Sequence, residues 1–92
     1  MGKARRNAQD SQGYDAALGQ VIRRRRTELG LTQAALAQRL GITFQQVQKY
    51  EYGRDRVAFS RFMQLCSGLE IDAAQMLRAV EQDHDERAAS VT

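Results

Sequence analysis

An all-α fold of five short helices is what this sequence predicts, and three observations carry the prediction. Apolar residues recur three and four apart, at helical spacing, and nowhere alternate as a half-buried strand would. Threonine, aspartate or glycine stands at most boundaries between the periodic segments, where caps and left-handed stops belong. Proline is absent from all 92 residues, so it interrupts no helix.

The length suits one domain with tails, and its small core must be shared by most of the helices. Three segments are expected: a flexible basic arm over residues 1–13, a helical domain over 14–80 and a flexible polar tail over 81–92. Apolar content of 42% and charged content of 27% are ordinary for a globular chain. No apolar run approaches the roughly 20 residues of a membrane span. No apolar segment follows the basic N-terminus, so no secretory leader is expected and the protein reads as cytoplasmic. The charge is lopsided. Residues 1–61 hold twelve Lys and Arg against five Asp and Glu, whereas residues 62–92 hold two against six. That split suits a protein presenting one basic face to a polyphosphate.

Residues 15–29 should form the first helix, with Asp15 or a neighbour as its cap and Leu18, Ile22 and Leu29 on one face. Arg23, Arg24, Arg25 and Arg26 cannot share a face, because successive residues turn by about 100°. Arg26 falls at the edge of the apolar stripe, where a guanidinium needs a partner. The second helix opens on Thr32 and runs to Leu40, with Leu36, Ala37 and Leu40 inward. Gly41 makes the turn, where a positive φ is cheap only for glycine. Thr43 and Gln46 have capping-box spacing for the third helix. Its inner face is Val47 and Tyr50, together with Ile42 before the cap. Its outer face carries Phe44, Gln45, Gln48 and Lys49. Gly53 ends it, and a short basic loop follows.

A fourth helix over about residues 58–67 has Phe62, Leu65, Cys66 and Leu69 as core candidates, and Gly68 should break it. Ala58 is a poor cap, so that start is either frayed or capped from elsewhere. Asp72 and Gln75 have capping-box spacing for a fifth helix, whose apolar set is Ile71, Met76, Leu77 and Val80. Lone Cys66 reads as a buried helix cysteine. Lone His84, among Asp83, Asp85 and Glu86, reads as a solvated tail residue.

The order of elements resembles the Xre family of helix-turn-helix domains, to which lambdoid phage repressors and Cro belong. The match covers about residues 18–77. Leu31-Thr32-Gln33, Leu36-Ala37, Leu40-Gly41 and Val47-x-x-Tyr50-Glu51-x-Gly53 carry it. The run from Thr43 to Glu51 also resembles a subgroup of short, single-domain bacterial regulators. The resemblance implies a compact phage-repressor-like domain whose third helix enters the DNA major groove. It places Phe44, Gln45 and Lys49 at base edges. It places Gln33, Thr43, Gln46, Gln48, Arg54 and Arg56 at phosphates or groove walls, with Gln33 also bracing the first residues of the third helix. It pairs Arg26 with Glu51, which supplies the acid that the stripe argument asks for. Phe44 departs from the glutamine frequent at its position. It packs on a thymine methyl or a sugar, or else on the second helix or a partner. Tyr52 stands where asparagine is frequent.

These assignments imply a transcriptional regulator of double-stranded DNA, a repressor by simple occupancy, located with the bacterial nucleoid. Useful specificity from so few base contacts asks for a homodimer. Met76, Leu77 and Val80 either form the dimer surface or complete the monomer core. A toxin-binding antitoxin, a contact with polymerase and a protein-interaction adaptor are the alternatives. No cofactor, metal or membrane partner is implied, and no constellation points to an enzyme.

Overall fold

In the computed structural model, which describes residues 10–91, the chain runs through α1 (Ser11–Glu28), α2 (Gln33–Leu40), α3 (Phe44–Glu51), α4 (Phe59–Gly68) and α5 (Ala73–Val91). No strand occurs among the described residues, and the fold is all-α. α1 packs against α3 and α5, α2 against α3 and α4, and α4 against α5. Every helix sends a fully buried or nearly fully buried side chain into the shared core. Ile22 comes from α1, Leu36 from α2, Val47 from α3, Leu65 from α4 and Met76 from α5. Burying each contributes about 1.5–3 kcal/mol.

The local signals act as their chemistry demands. Thr32 Oγ1 accepts from the Ala35 N–H at 3.0 Å, and Thr43 Oγ1 accepts from the Gln46 N–H at 3.2 Å. Such a cap stabilises a helix by about 1 kcal/mol. Gly41 has a φ of 69°, and the chain turns there sharply enough for the Ile42 N–H to bond the Ala37 carbonyl. That turn sets α2 and α3 in contact and fixes the angle between them.

Close approach explains a second glycine. A Cβ at Gly19 would lie 2.5 Å from the carbonyl oxygens of both Tyr50 and Glu51. Only a bare Cα lets α1 lie on the end of α3, and this contact sets the height at which α3 stands off the body.

Four expectations need correction. α1 begins at Ser11, earlier than Asp15, and α5 continues to Val91 where a flexible tail was expected from residue 81. The two misjudged ends fold on each other. His84 is buried, its ring stacks on Tyr14 with centroids 4.0 Å apart, and its Nε2 pairs with the Asp10 carboxylate. Asp83 joins Arg24 at 3.1 Å and Arg87 at 2.5 Å. His84 is therefore no solvated tail residue. The fourth correction concerns the end of α4. Gly68 is its last residue, and the left-handed position falls on Glu70, with φ 55°. Lys3, Arg5 and Arg6 of the basic arm lie outside the described residues.

Cys66 is buried, as its neighbours suggest. Burial pushes its thiol pKa up, and the negative charge of Asp72 adds to the effect.

Candidate nucleic-acid interface

The orientation of α3 follows from what its inner face meets. Val47, Tyr50 and Glu51 are buried, which turns residues 44, 45, 48 and 49 outward, since a helix repeats every 3.6 residues. Phe44 is 42% exposed, partly covered and partly open to solvent. Gln45 and Lys49 are exposed, Gln48 is half-buried, and Thr43 is exposed at the N-cap.

A buried ionic network fixes α3 from behind. Arg26 Nε donates to Glu51 Oε2 at 2.6 Å, and its Nη2 donates to Oε1 at 3.1 Å. Arg26 Nη1 donates to the Leu31 carbonyl at 2.8 Å, and Gln33 Nε2 donates to Glu51 Oε1 at 2.9 Å. Glu51 thus receives three N–H groups from α1 and α2. The bracing by Gln33 reaches the last residue of α3 rather than its first residues, a correction to the expected role. The reason is that the Glu51 carboxylate is a buried charged acceptor already held in place by Arg26.

Three of the four consecutive arginines divide among different partners, Arg24 with Asp83 and Arg26 with Glu51. Arg25 donates through Nε to the Leu69 carbonyl at 2.9 Å and through Nη2 to the Glu70 carbonyl at 2.8 Å. It thereby satisfies carbonyls at the end of α4, a cap that periodicity does not signal.

The loop after α3 is basic at its edges and tied at its centre. The exposed Arg54 guanidinium sits 5.5 Å from the centre of the Tyr52 ring. Arg56 Nη2 donates to Ser11 Oγ at 2.6 Å, and its Nε lies 3.6 Å from Asp15 Oδ2. Between them, Asp55 Oδ2 accepts from Gln46 Nε2 at 2.9 Å. The capping box is therefore half formed. Thr43 caps the Gln46 N–H, but the Gln46 amide turns to Asp55 instead of back to the N-cap. The role of Asp55 is not legible in the sequence. Its signal, an acid between two arginines, has no periodicity to mark it.

Met76 is 0% exposed and Val80 8%, so both complete the monomer core, while Leu77 is 53% exposed. Of the three residues offered as a dimer surface, only Leu77 faces outward. Met76 and Val80 lie one helical turn apart on the stripe that meets the rest of the core, and Leu77 is rotated off that stripe.

A helix held on its inner face, set across a tight turn from a supporting helix and followed by a loop with two arginines, is the helix-turn-helix unit of DNA-binding regulators. The helix-turn-helix family model matches residues 22–76, more than half of the chain. The chain belongs to this family, in the Xre-like form that its motif residues resemble. It is 49% identical over 57 residues to an uncharacterised transcriptional regulator in the ATPase CF(0) region of Rhodospirillum rubrum, covering 62% of this chain and 53% of that one. It is 41% identical over 69 residues to the uncharacterised HTH-type transcriptional regulator y4aM of Sinorhizobium fredii, covering 75% and 48%. The chain thus spans about half the length of the curated relatives it matches. Among solved structures, the clp gene regulator ClgR from Corynebacterium glutamicum superposes with a TM-score of 0.80 at 25% identity, covering 84% of this chain and 82% of that one. The restriction-modification controller protein C.AhdI from Aeromonas hydrophila gives 0.65 at 29% identity, covering 67% and 94%. Among the described residues, no helix is long and apolar enough to cross a membrane.

Proposed function

We propose that this chain is a sequence-specific DNA-binding transcriptional regulator that acts as a repressor, laying α3 in the major groove as one half of a homodimer on an inverted repeat. The observation that carries the reading is the two-sidedness of α3. Its inner face is locked by Val47, Tyr50 and Glu51, and its outer face offers Phe44, Gln45 and Lys49 to solvent. Gln45 has the donor and acceptor to pair with adenine, Lys49 donates to guanine O6 and N7, and Phe44 packs on a thymine methyl. Arg54 and Arg56 flank the exit of α3 and supply phosphate attraction, with Thr43 and Gln48 at the groove walls. Gln33 and Gln46 serve from behind, since both amides are engaged within the protein. Leu77 remains as the outward apolar residue of α5 to meet a second copy.

Selection of sites from a random duplex pool, with purified protein at near-physiological salt, tests the reading. An enriched inverted repeat with half-sites about 34 Å apart is expected. Gln45→Ala with Lys49→Ala should then change the preferred sequence, by about 1–3 kcal/mol of discrimination for each contact. Weak, salt-sensitive binding without enrichment would overturn the proposal.

A further inference from the structure

Asp55 is out of place in a loop that meets phosphate. It stands between Arg54 and Arg56, both exposed, and a carboxylate there opposes attraction to a polyanion. Yet it is half-buried and engaged, accepting from Gln46 Nε2 at 2.9 Å across nine residues of chain. Gln46 lies in the first turn of α3, and the loop leaves from the last turn. There the Arg54 N–H bonds the Lys49 carbonyl at 2.9 Å. The loop is therefore tied to both ends of the helix it follows. Arg56 leans on α1 through Ser11 and Asp15, so without the Gln46 bond the loop would keep its two ends, and its centre at Arg54 and Asp55 would lose its tie to the first turn of α3. Phosphate contacts set the register in which base contacts are read. A loop loose at its centre would let Arg54 grip phosphates in more than one register, and α3 would meet the bases differently in each.

We propose that Asp55 is a positioning residue for sequence recognition. By holding Gln46 it fixes residues 54–56 against α3, so that one phosphate register presents Phe44, Gln45 and Lys49 to the bases, at the expense of overall affinity. This rests on the DNA-binding reading above. It separates two effects of one side chain: its charge weakens binding to every duplex, and its hydrogen bond raises the preference for the right one.

The test uses the full chain, the duplex obtained by selection and a scrambled duplex of equal length, titrated over a salt series. Asp55→Ala and Asp55→Asn should both bind the scrambled duplex more tightly than wild type, since each removes a negative charge. The ratio of specific to scrambled affinity should fall by about tenfold in Asp55→Ala. It should stay within about twofold of wild type in Asp55→Asn, whose Oδ1 still accepts from Gln46. Adding Gln46→Ala to Asp55→Ala should lower the ratio no further, because the two residues act as one unit. Circular dichroism at the assay temperature establishes that each variant is folded. A wild-type ratio in Asp55→Ala, a loss in Asp55→Asn as large as in Asp55→Ala, or a multiplicative loss in the double variant would each overturn the inference. A wild-type protein with no preference for any duplex overturns the DNA-binding reading itself, which is a different result from these three.

Discussion

Glu51→Ala removes the acceptor at the centre of the network behind α3. The Glu51 side chain is 2% exposed and that of Arg26 is 13% exposed. Alanine leaves the guanidinium with the Leu31 carbonyl, at 2.8 Å, as its remaining partner. Arginine cannot shed its proton to escape the burial. Breaking a buried pair by removing one partner costs about 3–5 kcal/mol. A domain of this kind has a total stability of about 5–15 kcal/mol, and a small core sits toward the lower end. The substitution should therefore remove a large part of the stability. At about 4–8 °C per kcal/mol, Tm should fall by at least about 12 °C. Urea unfolding followed by far-ultraviolet circular dichroism, with linear extrapolation, measures the loss directly. The double replacement Arg26→Met with Glu51→Leu should recover most of it, because no charge stays buried and the half-exposed Gln33 amide can turn to water. A loss below about 1 kcal/mol in Glu51→Ala would refute the reasoning, since that is the value of a solvent-screened surface pair.

Three further outcomes are expected. Arg54→Ala and Arg56→Ala should weaken binding to all duplexes alike, each lowering the salt slope by about 0.9, as read from titrations at several salt concentrations. Met76→Ala should cost about 2–5 kcal/mol by opening a cavity, whereas Leu77→Ala, half exposed, should cost less than about 1 kcal/mol in the same unfolding assay at low protein concentration. Cys66 should react slowly with a thiol reagent at about pH 8 in the native state and quickly once unfolded, because burial raises its pKa and depletes the thiolate. The sign extends to stability. The unfolded chain releases the thiol proton first, so this group's contribution, full below the unfolded pKa, is lost as pH rises from there through the folded value.

The α2–turn–α3 unit is legible in the sequence because its signals are local. Thr32 and Thr43 cap the residue three places on, Gly41 relieves its own backbone, and the phase of Val47 and Tyr50 assigns the outer face of α3. The stripe position of Arg26 also shows that it needs a partner, and the family resemblance supplies Glu51. The two ends of the chain are misread for the opposite reason. Residues 81–90 carry no apolar stripe, and their helix is held by the stacking of His84 on Tyr14 and by its pairing with Asp10. Met76, Leu77 and Val80 look alike as sequence, and packing alone separates the two buried residues from the exposed one.

By itself, then, the sequence determines that there are five helices, the bounds of α2, α3 and α4 within a residue or so, the turn between α2 and α3, and the face of α3 that looks outward. Each depends on backbone preference and side-chain phase within about one helical turn. Tertiary structure alone decides which polar groups on that framework are free to meet a ligand and which are engaged within the protein. Gln46 meets Asp55 nine residues away, Arg26 meets Glu51 twenty-five away, and His84 meets Asp10 seventy-four away. No periodicity encodes such pairings. They exist only because apolar burial has already brought the helices together, leaving these groups beside one another where an unpartnered donor or acceptor would be costly.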